Sequence, residues 1–124
     1  MKNVIATPKA PGAIGPYSQG IATDQFVYTS GQLGMDTNGV FPGTIEEQTR
    51  QSLENVKAIL EAAGSSMEQV VKTTVFLKDM NDFAAMNGVY ATYFTSDAPA
   101  RSAVQIAKLP KDGMVEIEVI ALKK

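Results

Sequence analysis

The segment Met114–Leu122, MVEIEVIAL, limits the architectures open to this chain more than any other. Read as a strand, its side chains alternate between two faces. Val115, Ile117, Val119 and Ala121 fall on one side, and Met114, Glu116, Glu118, Ile120 and Leu122 on the other. The first set is wholly apolar and the second is apolar in part, so both faces of the strand need cover. Gln69–Lys78, QVVKTTVFLK, is a β-branched strand of the same two-sided kind: Val71, Thr73, Val75 and Leu77 on one side, with Val70, Thr74 and Phe76 between lysines on the other. Two helices can cover one face of a single sheet. Burying the other face against a second copy is the simple remedy, which predicts a homo-oligomer.

The remaining elements follow from local signals. Thr44 and Glu47 have capping-box spacing. Ile45, Thr49, Leu53, Val56, Leu60 and Ala63 then recur at helical spacing, and Gly64 suits the position after the last turn. Glu46–Arg50, Arg50–Glu54 and Lys57–Glu61 read as i,i+4 ion pairs on its outer face. A second helix runs through MNDFAAMNGVYATYFT, with Phe83, Met86, Asn87, Tyr90 and Phe94 as its stripe and Asp79 or Asn81 as N-cap. Gly88 in its interior costs about 1 kcal/mol relative to alanine, which points to a tight approach or a local need there. GAIGPYSQG reads as a loop, QFVYTSGQL as a strand broken at Ser30-Gly31, and DTNGVFPG as a turn-rich connection. RSAVQIAK and MVEIEVIAL flank LPKDG and read as an antiparallel hairpin. The expectation is an α+β fold, one domain over residues 1–124, with two helices on one face of a sheet.

Composition narrows the chemistry. The 124 residues contain no cysteine and no histidine. That removes disulfides, zinc–thiolate sites, cysteine nucleophiles and every histidine-dependent triad or metal site. Proton handling falls to carboxylates, tyrosines, lysines or water. The formal charge of −2 and pI near 5.0 lack the basic footprint of a nucleic-acid binder. No apolar run approaches the roughly 18 residues that span a membrane, and the N-terminal MKNVIATPKAPGAIGP has no signal-peptide core. A cytoplasmic protein that contacts neither membrane nor nucleic acid is the expectation.

Arg101 is one of only two arginines, against nine lysines, and sits where a loop turns into a strand. It is either a rim residue or ion-pair partner, or a fork that grips a carboxylate in two parallel hydrogen bonds. Glu116 and Glu118 are either a solvated edge or carboxylates whose partial burial raises their pKa. With Gln105 opposite Glu116 in the hairpin, Arg101 would share a face with both. Asn87, a polar residue in an apolar stripe, Tyr17, and the Ser30-Gly31 break each have ordinary structural readings as well.

Taken together, IGPYSQG, TSGQ, QTRQSLENVKAILEAAG, VVKTTVFLKDMNDFAAMN, and PARSAVQIAKLPKD followed by VEIEVIAL resemble the reactive intermediate deaminase A (RidA, or YjgF-like) family over essentially the whole chain. The resemblance implies a chorismate-mutase-like mixed sheet with two helices on one face, assembled as a homotrimer with sites between subunits. It implies hydrolysis of 2-imino acids such as 2-iminobutanoate and 2-iminopropanoate to 2-oxo acids and ammonia, without cofactor or metal, protecting pyridoxal-phosphate enzymes. In that reading Arg101 matches the substrate-carboxylate arginine and Glu116 the glutamate that activates water. Tyr17, Ser30, Gly31 and Asn87 match pocket residues. Ala103 stands where some members have cysteine. Two further functions stay open: a non-catalytic module that binds a small carboxylate, and an RNA-cleaving or translation-inhibiting role.

Overall fold

The computed structural model describes residues 1–124. Seven strands form one sheet: β1 (Asn3–Ile5), β2 (Gly20–Ala22), β3 (Phe26–Thr29), β4 (Gln32–Leu33), β5 (Val70–Leu77), β6 (Ala100–Gln105) and β7 (Val115–Leu122). The helices are α1 (Ile45–Ala62) and α2 (Phe83–Tyr93). The spatial order is β1-β2-β3-β7-β5-β6, with β4 also on β7. All pairs are antiparallel except β5–β6, which is parallel.

This order corrects the expected hairpin. β6 and β7 are not neighbours; β5 lies between them, bonded to both. The chain leaves β5, crosses through α2 and returns as β6 in the same direction, a βαβ unit. The chain reverses at the short 3₁₀ turn Pro110–Asp112, as LPKDG predicts, but the strand that follows pairs with β5 and not with β6. β1 and β2, which flank the GAIGPYSQG loop and carry no strand assignment from the sequence, form an antiparallel pair at the opposite edge.

α1 begins and ends as its sequence dictates. The Thr44 hydroxyl accepts from the Glu47 amide at 3.1 Å. At the far end Gly64 takes φ +80°, and the Gly64 and Ser65 amides donate to the Glu61 and Leu60 carbonyls. That is a Schellman closure, which favours glycine because it has no Cβ to strain in the left-handed region. The buried face is wider than the apolar stripe, adding Gln48, Ser52, Asn55 and Ile59. The three expected ion pairs on the outer face do not form; Glu54 instead accepts from the Tyr93 hydroxyl at 2.6 Å.

The core lies between the helices and one sheet face. Leu53, Val56, Leu60, Val75, Leu77, Met86, Val115 and Ile117 are fully buried there. Truncating one of these leucines to alanine costs about 2–5 kcal/mol. β7 alternates as expected, with Val115, Ile117, Val119 and Ala121 inward. β5 does not, because a bulge at Val71 shifts its pairing with β7. The extra residue turns Val71 outward and brings Val70 into the core beside Thr73, Val75 and Leu77. Gly88 is exposed and a Cβ there would meet nothing within 4 Å, so no tight approach within the subunit explains it.

The other sheet face carries no helix. Register places Phe26 beside Leu122, Tyr28 beside Ile120, and Phe76 beside Val104 and Glu116 on it. Tyr28, Val104 and Leu122 are each 40% or more exposed, which marks an uncovered apolar surface.

Candidate active site

β3 and β4 run along the same edge of β7 but not as one regular strand. Tyr28 pairs with Ile120, and Gln32 with Ile117. Four steps on one side therefore span three on the other, and the slack lies at Thr29–Gly31. A bulge of this kind re-aims the backbone locally. Here it brings Gly31 against Glu116: a Cβ on Gly31 would lie 2.7 Å from the Glu116 carboxyl carbon. Only glycine leaves room for the carboxylate where it stands.

Glu116 opens into a cavity of about 450 Å³ that Tyr17, Ser30, Gly31, Lys111 and Glu118 also line. Burial, with a smaller contribution from Glu118, pushes the Glu116 carboxyl above the usual glutamate range. Ser30 donates its hydroxyl hydrogen to the Ser18 carbonyl at 2.6 Å, so toward the cavity its oxygen is free only to accept. Tyr17 stands on a loop whose start is held by Gln19. The Gln19 side chain, 5% exposed, donates to the Thr7, Ala10 and Pro11 carbonyls and accepts from the Thr7 amide.

The β4 wall is fixed from the helix side. Ser52 donates to the Gln32 carbonyl at 2.7 Å, and Asn55 donates to the Leu33 and Met35 carbonyls. Gln48 donates to the Pro42 carbonyl and accepts from the Met114 amide. These buried polar residues at 48, 52 and 55 share one face of α1 and tie the cavity's backbone to it.

Arg101 and Asn87 are elsewhere. In the ladder Arg101 pairs with Thr73, which pairs in turn with Val119, so it lies on the helix-covered face. Glu116 lies on the opposite face, which corrects the expectation that both share one side. Arg101 is half-buried on the edge strand and donates from Nη1 to Asn87 Oδ1 at 2.7 Å. Its guanidinium carbon lies 4.7 Å from the Tyr90 ring centre and 5.4 Å from that of Phe83. Neither salt bridge of the chain involves it. Within one subunit the residues singled out in the sequence thus form two groups: Tyr17, Ser30, Gly31 and Glu116 around the cavity, and Arg101 with Asn87 at the far sheet edge.

Sequence reasoning missed Lys111 as a cavity residue. It lies on the rim with φ +55°, next to Asp112 at +57°. It belongs to the KDG turn signal, but the left-handed backbone that places it there is not readable from that signal. No group of three or more metal-ligating side chains occurs, and no helix is long and apolar enough to cross a membrane.

Comparison with known proteins places this geometry in context. A family profile described as endoribonuclease L-PSP matches residues 7–123. A RutC family protein of Pyrococcus horikoshii is 56% identical over 100% of both chains. The 2-iminobutanoate/2-iminopropanoate deaminase of Salmonella typhimurium is 52% identical, again over 100% of both. The crystal structure of E. coli TdcF with bound serine superposes with a TM-score of 0.95 at 48% identity, covering 98% of this chain and 99% of that one.

Proposed function

This chain belongs to the endoribonuclease L-PSP family, the YjgF-like or RidA family, and from that premise we propose that it hydrolyses reactive 2-imino acids such as 2-iminobutanoate and 2-iminopropanoate. The products are the 2-oxo acid and ammonia. The observation that carries the reading is a complementarity: a half-buried arginine without a carboxylate partner, and a cavity that holds a glutamate of raised pKa.

The two groups lie on opposite faces of one subunit, so the site is composite. Arg101 and Asn87 of one copy meet the cavity of the next. The uncovered apolar sheet face supplies the contact, and the assembly is a homotrimer. Arg101 holds the substrate carboxylate in its fork, which fixes the adjoining C=N carbon. Held geometry of this sort replaces a bimolecular encounter and removes much of the barrier for an electrophile as reactive as a protonated imine. Glu116, ionised, takes a proton from water as the water oxygen bonds to carbon and the C=N π electrons move to nitrogen. Glu116 returns the proton to the nitrogen of the amino alcohol so formed, then takes the hydroxyl proton as the carbonyl closes and ammonia leaves; that proton passes to the departing ammonia, which restores the carboxylate. Ser30 Oγ accepts from the iminium N–H or the water, the Gly31 carbonyl does likewise, and Tyr17 closes the cavity wall. Ala103 is packed against the core rather than exposed in the cavity, so the reaction proceeds without a thiol at that position. Absence of cysteine suits a reducing, cytoplasmic setting.

The test is an amino-acid dehydratase that releases 2-iminobutanoate, with imine loss followed in the presence and absence of the protein. Wild type accelerates the loss. Glu116→Gln abolishes the acceleration but retains affinity for a 2-oxo acid. Wild type that leaves the rate of imine loss unchanged would refute the reading. An endoribonuclease activity, the description carried by the family profile, finds no support in a histidine-free chain of net charge −2.

A further inference from the structure

Resting on the assignment of Arg101 to the substrate carboxylate, we propose that Tyr90 is a positioning residue, anchored by Thr73, that sets the plane of the guanidinium. Thr73 is the direct ladder partner of Arg101 on β5. Its hydroxyl bonds to the Tyr90 hydroxyl at 2.7 Å in the core. The Tyr90 ring returns to stand 4.7 Å from the Arg101 guanidinium carbon. Backbone pairing, a buried hydrogen bond and a cation–π contact therefore close a loop through three residues. The Phe94 ring, 4.7 Å from that of Tyr90, holds it from a second direction. Tyr90 is 7% exposed, so it has little freedom to move.

α2 supplies the rest of the cradle from one face. Phe83, Asn87 and Tyr90 are spaced i, i+4, i+7, the repeat that stacks side chains along a helix. Phe83 presents a second ring and Asn87 takes one Nη1 hydrogen. The fork has five N–H donors, so those that remain are enough to grip a carboxylate in two parallel bonds. A flexible arginine would lose much of that grip to the entropy of orienting its long side chain.

Arg101 contacts the carboxylate in ground and transition states alike, so a loosened guanidinium raises KM and the Kd for a product carboxylate, beside any loss in kcat from a less firmly held C=N carbon. Tyr90→Leu is expected to raise KM, and Kd for 2-oxobutanoate, by about 10-fold, the scale of a partly desolvated cation–π contact. Tyr90→Phe, which keeps the ring, stays within about 3-fold of wild type. Adding Tyr90→Leu to Arg101→Ala weakens the binding of 2-oxobutanoate no further, because the tyrosine acts through the arginine. A merely structural tyrosine would instead lower kcat through a smaller active fraction, leave KM in place, and act equally in the Arg101→Ala background; that result overturns the proposal. Should Tyr90→Leu not assemble, Phe83→Leu decides by the same split. A wild type without imine hydrolysis defeats the functional reading, whereas active wild type with unchanged KM in both leucine variants defeats this inference alone.

Discussion

Gly31 leaves Glu116, the proposed base, almost no room to be placed differently. The Gly31 Cα faces it so closely that a methyl group would lie 2.7 Å from the carboxyl carbon and 3.0 Å from Oε1. Gly31→Ala should therefore displace the carboxylate and leave the fold intact, because Gly31 lies in a bulge outside the hydrogen-bonded strands. A shift near 1 Å in a positioned group costs about 10²-fold in rate; kcat of the variant against wild type, with an unchanged circular dichroism spectrum, is the check. The pH profile tests the same side chain. In the proposed mechanism Glu116 must be ionised to accept a proton from water, so kcat/KM falls as pH drops through its pKa. Burial and then the charge of Glu118 hold that pKa up, so the acid limb should lie above the ordinary glutamate value of about 4.3. Glu118→Gln removes the like charge and should move the limb toward lower pH. A wild-type limb at or below the ordinary glutamate value would mean that another group controls the proton transfer.

α1 is where local signals and tertiary demands agree best, and it carries one clear imperfection. Thr49 Oγ1 is fully buried and has no hydrogen-bond partner. An unsatisfied buried hydroxyl costs about 1–3 kcal/mol. Thr49→Val keeps the shape and removes that burden, so it should raise stability by about 1 kcal/mol, read as a higher denaturant midpoint at constant slope. Gly34 behaves oppositely. A Cβ there would clash with the Gln48 carbonyl oxygen, so it marks a close approach of β4's following turn to α1. The ends of α1 were legible because capping is local: Thr44, Glu47 and Gly64 act on backbone within a turn of themselves. The polar residues of its buried face were not, since Gln48, Ser52 and Asn55 are satisfied by carbonyls and an amide far along the chain. Strand pairing failed for the same reason. A turn signal at LPKDG says that the chain reverses, but not that β5 occupies the space beside β7. One extra residue at Val71 exchanged the faces of Val70 and Val71 and left the rest of the strand as patterned, because side-chain period in a sheet is two. Among the candidate site residues, type was readable and company was not: Arg101 with Asn87, and Glu116 with Gly31, are contacts set by topology.

At the scale of the whole molecule, the proposed site requires more than one subunit, and a mixing experiment can decide it without another structure. Arg101 and Glu116 lie on opposite faces of the same sheet, so no side-chain motion inside one subunit unites them without unpairing β5, β6 or β7. If each site takes its arginine from one copy and its glutamate from the next, Arg101→Ala and Glu116→Gln each destroy every site of a homotrimer. A trimer containing both variants differs. Wherever a Glu116→Gln subunit contributes Arg101 to the cavity of an Arg101→Ala subunit, both residues are native and one complete site is restored. Random assembly from equal amounts makes that pairing in about a quarter of sites, given the head-to-tail contacts of a cyclic oligomer. Co-expressed or unfolded-and-reassembled mixtures should therefore recover imine hydrolysis toward roughly one quarter of the wild-type rate per subunit. The two variants mixed without subunit exchange should stay inactive, and native mass measurement reports the subunit count and the mixed species in one sample. A site confined to a single subunit predicts no recovery at any mixing ratio, because each chain would carry its own defect into every assembly.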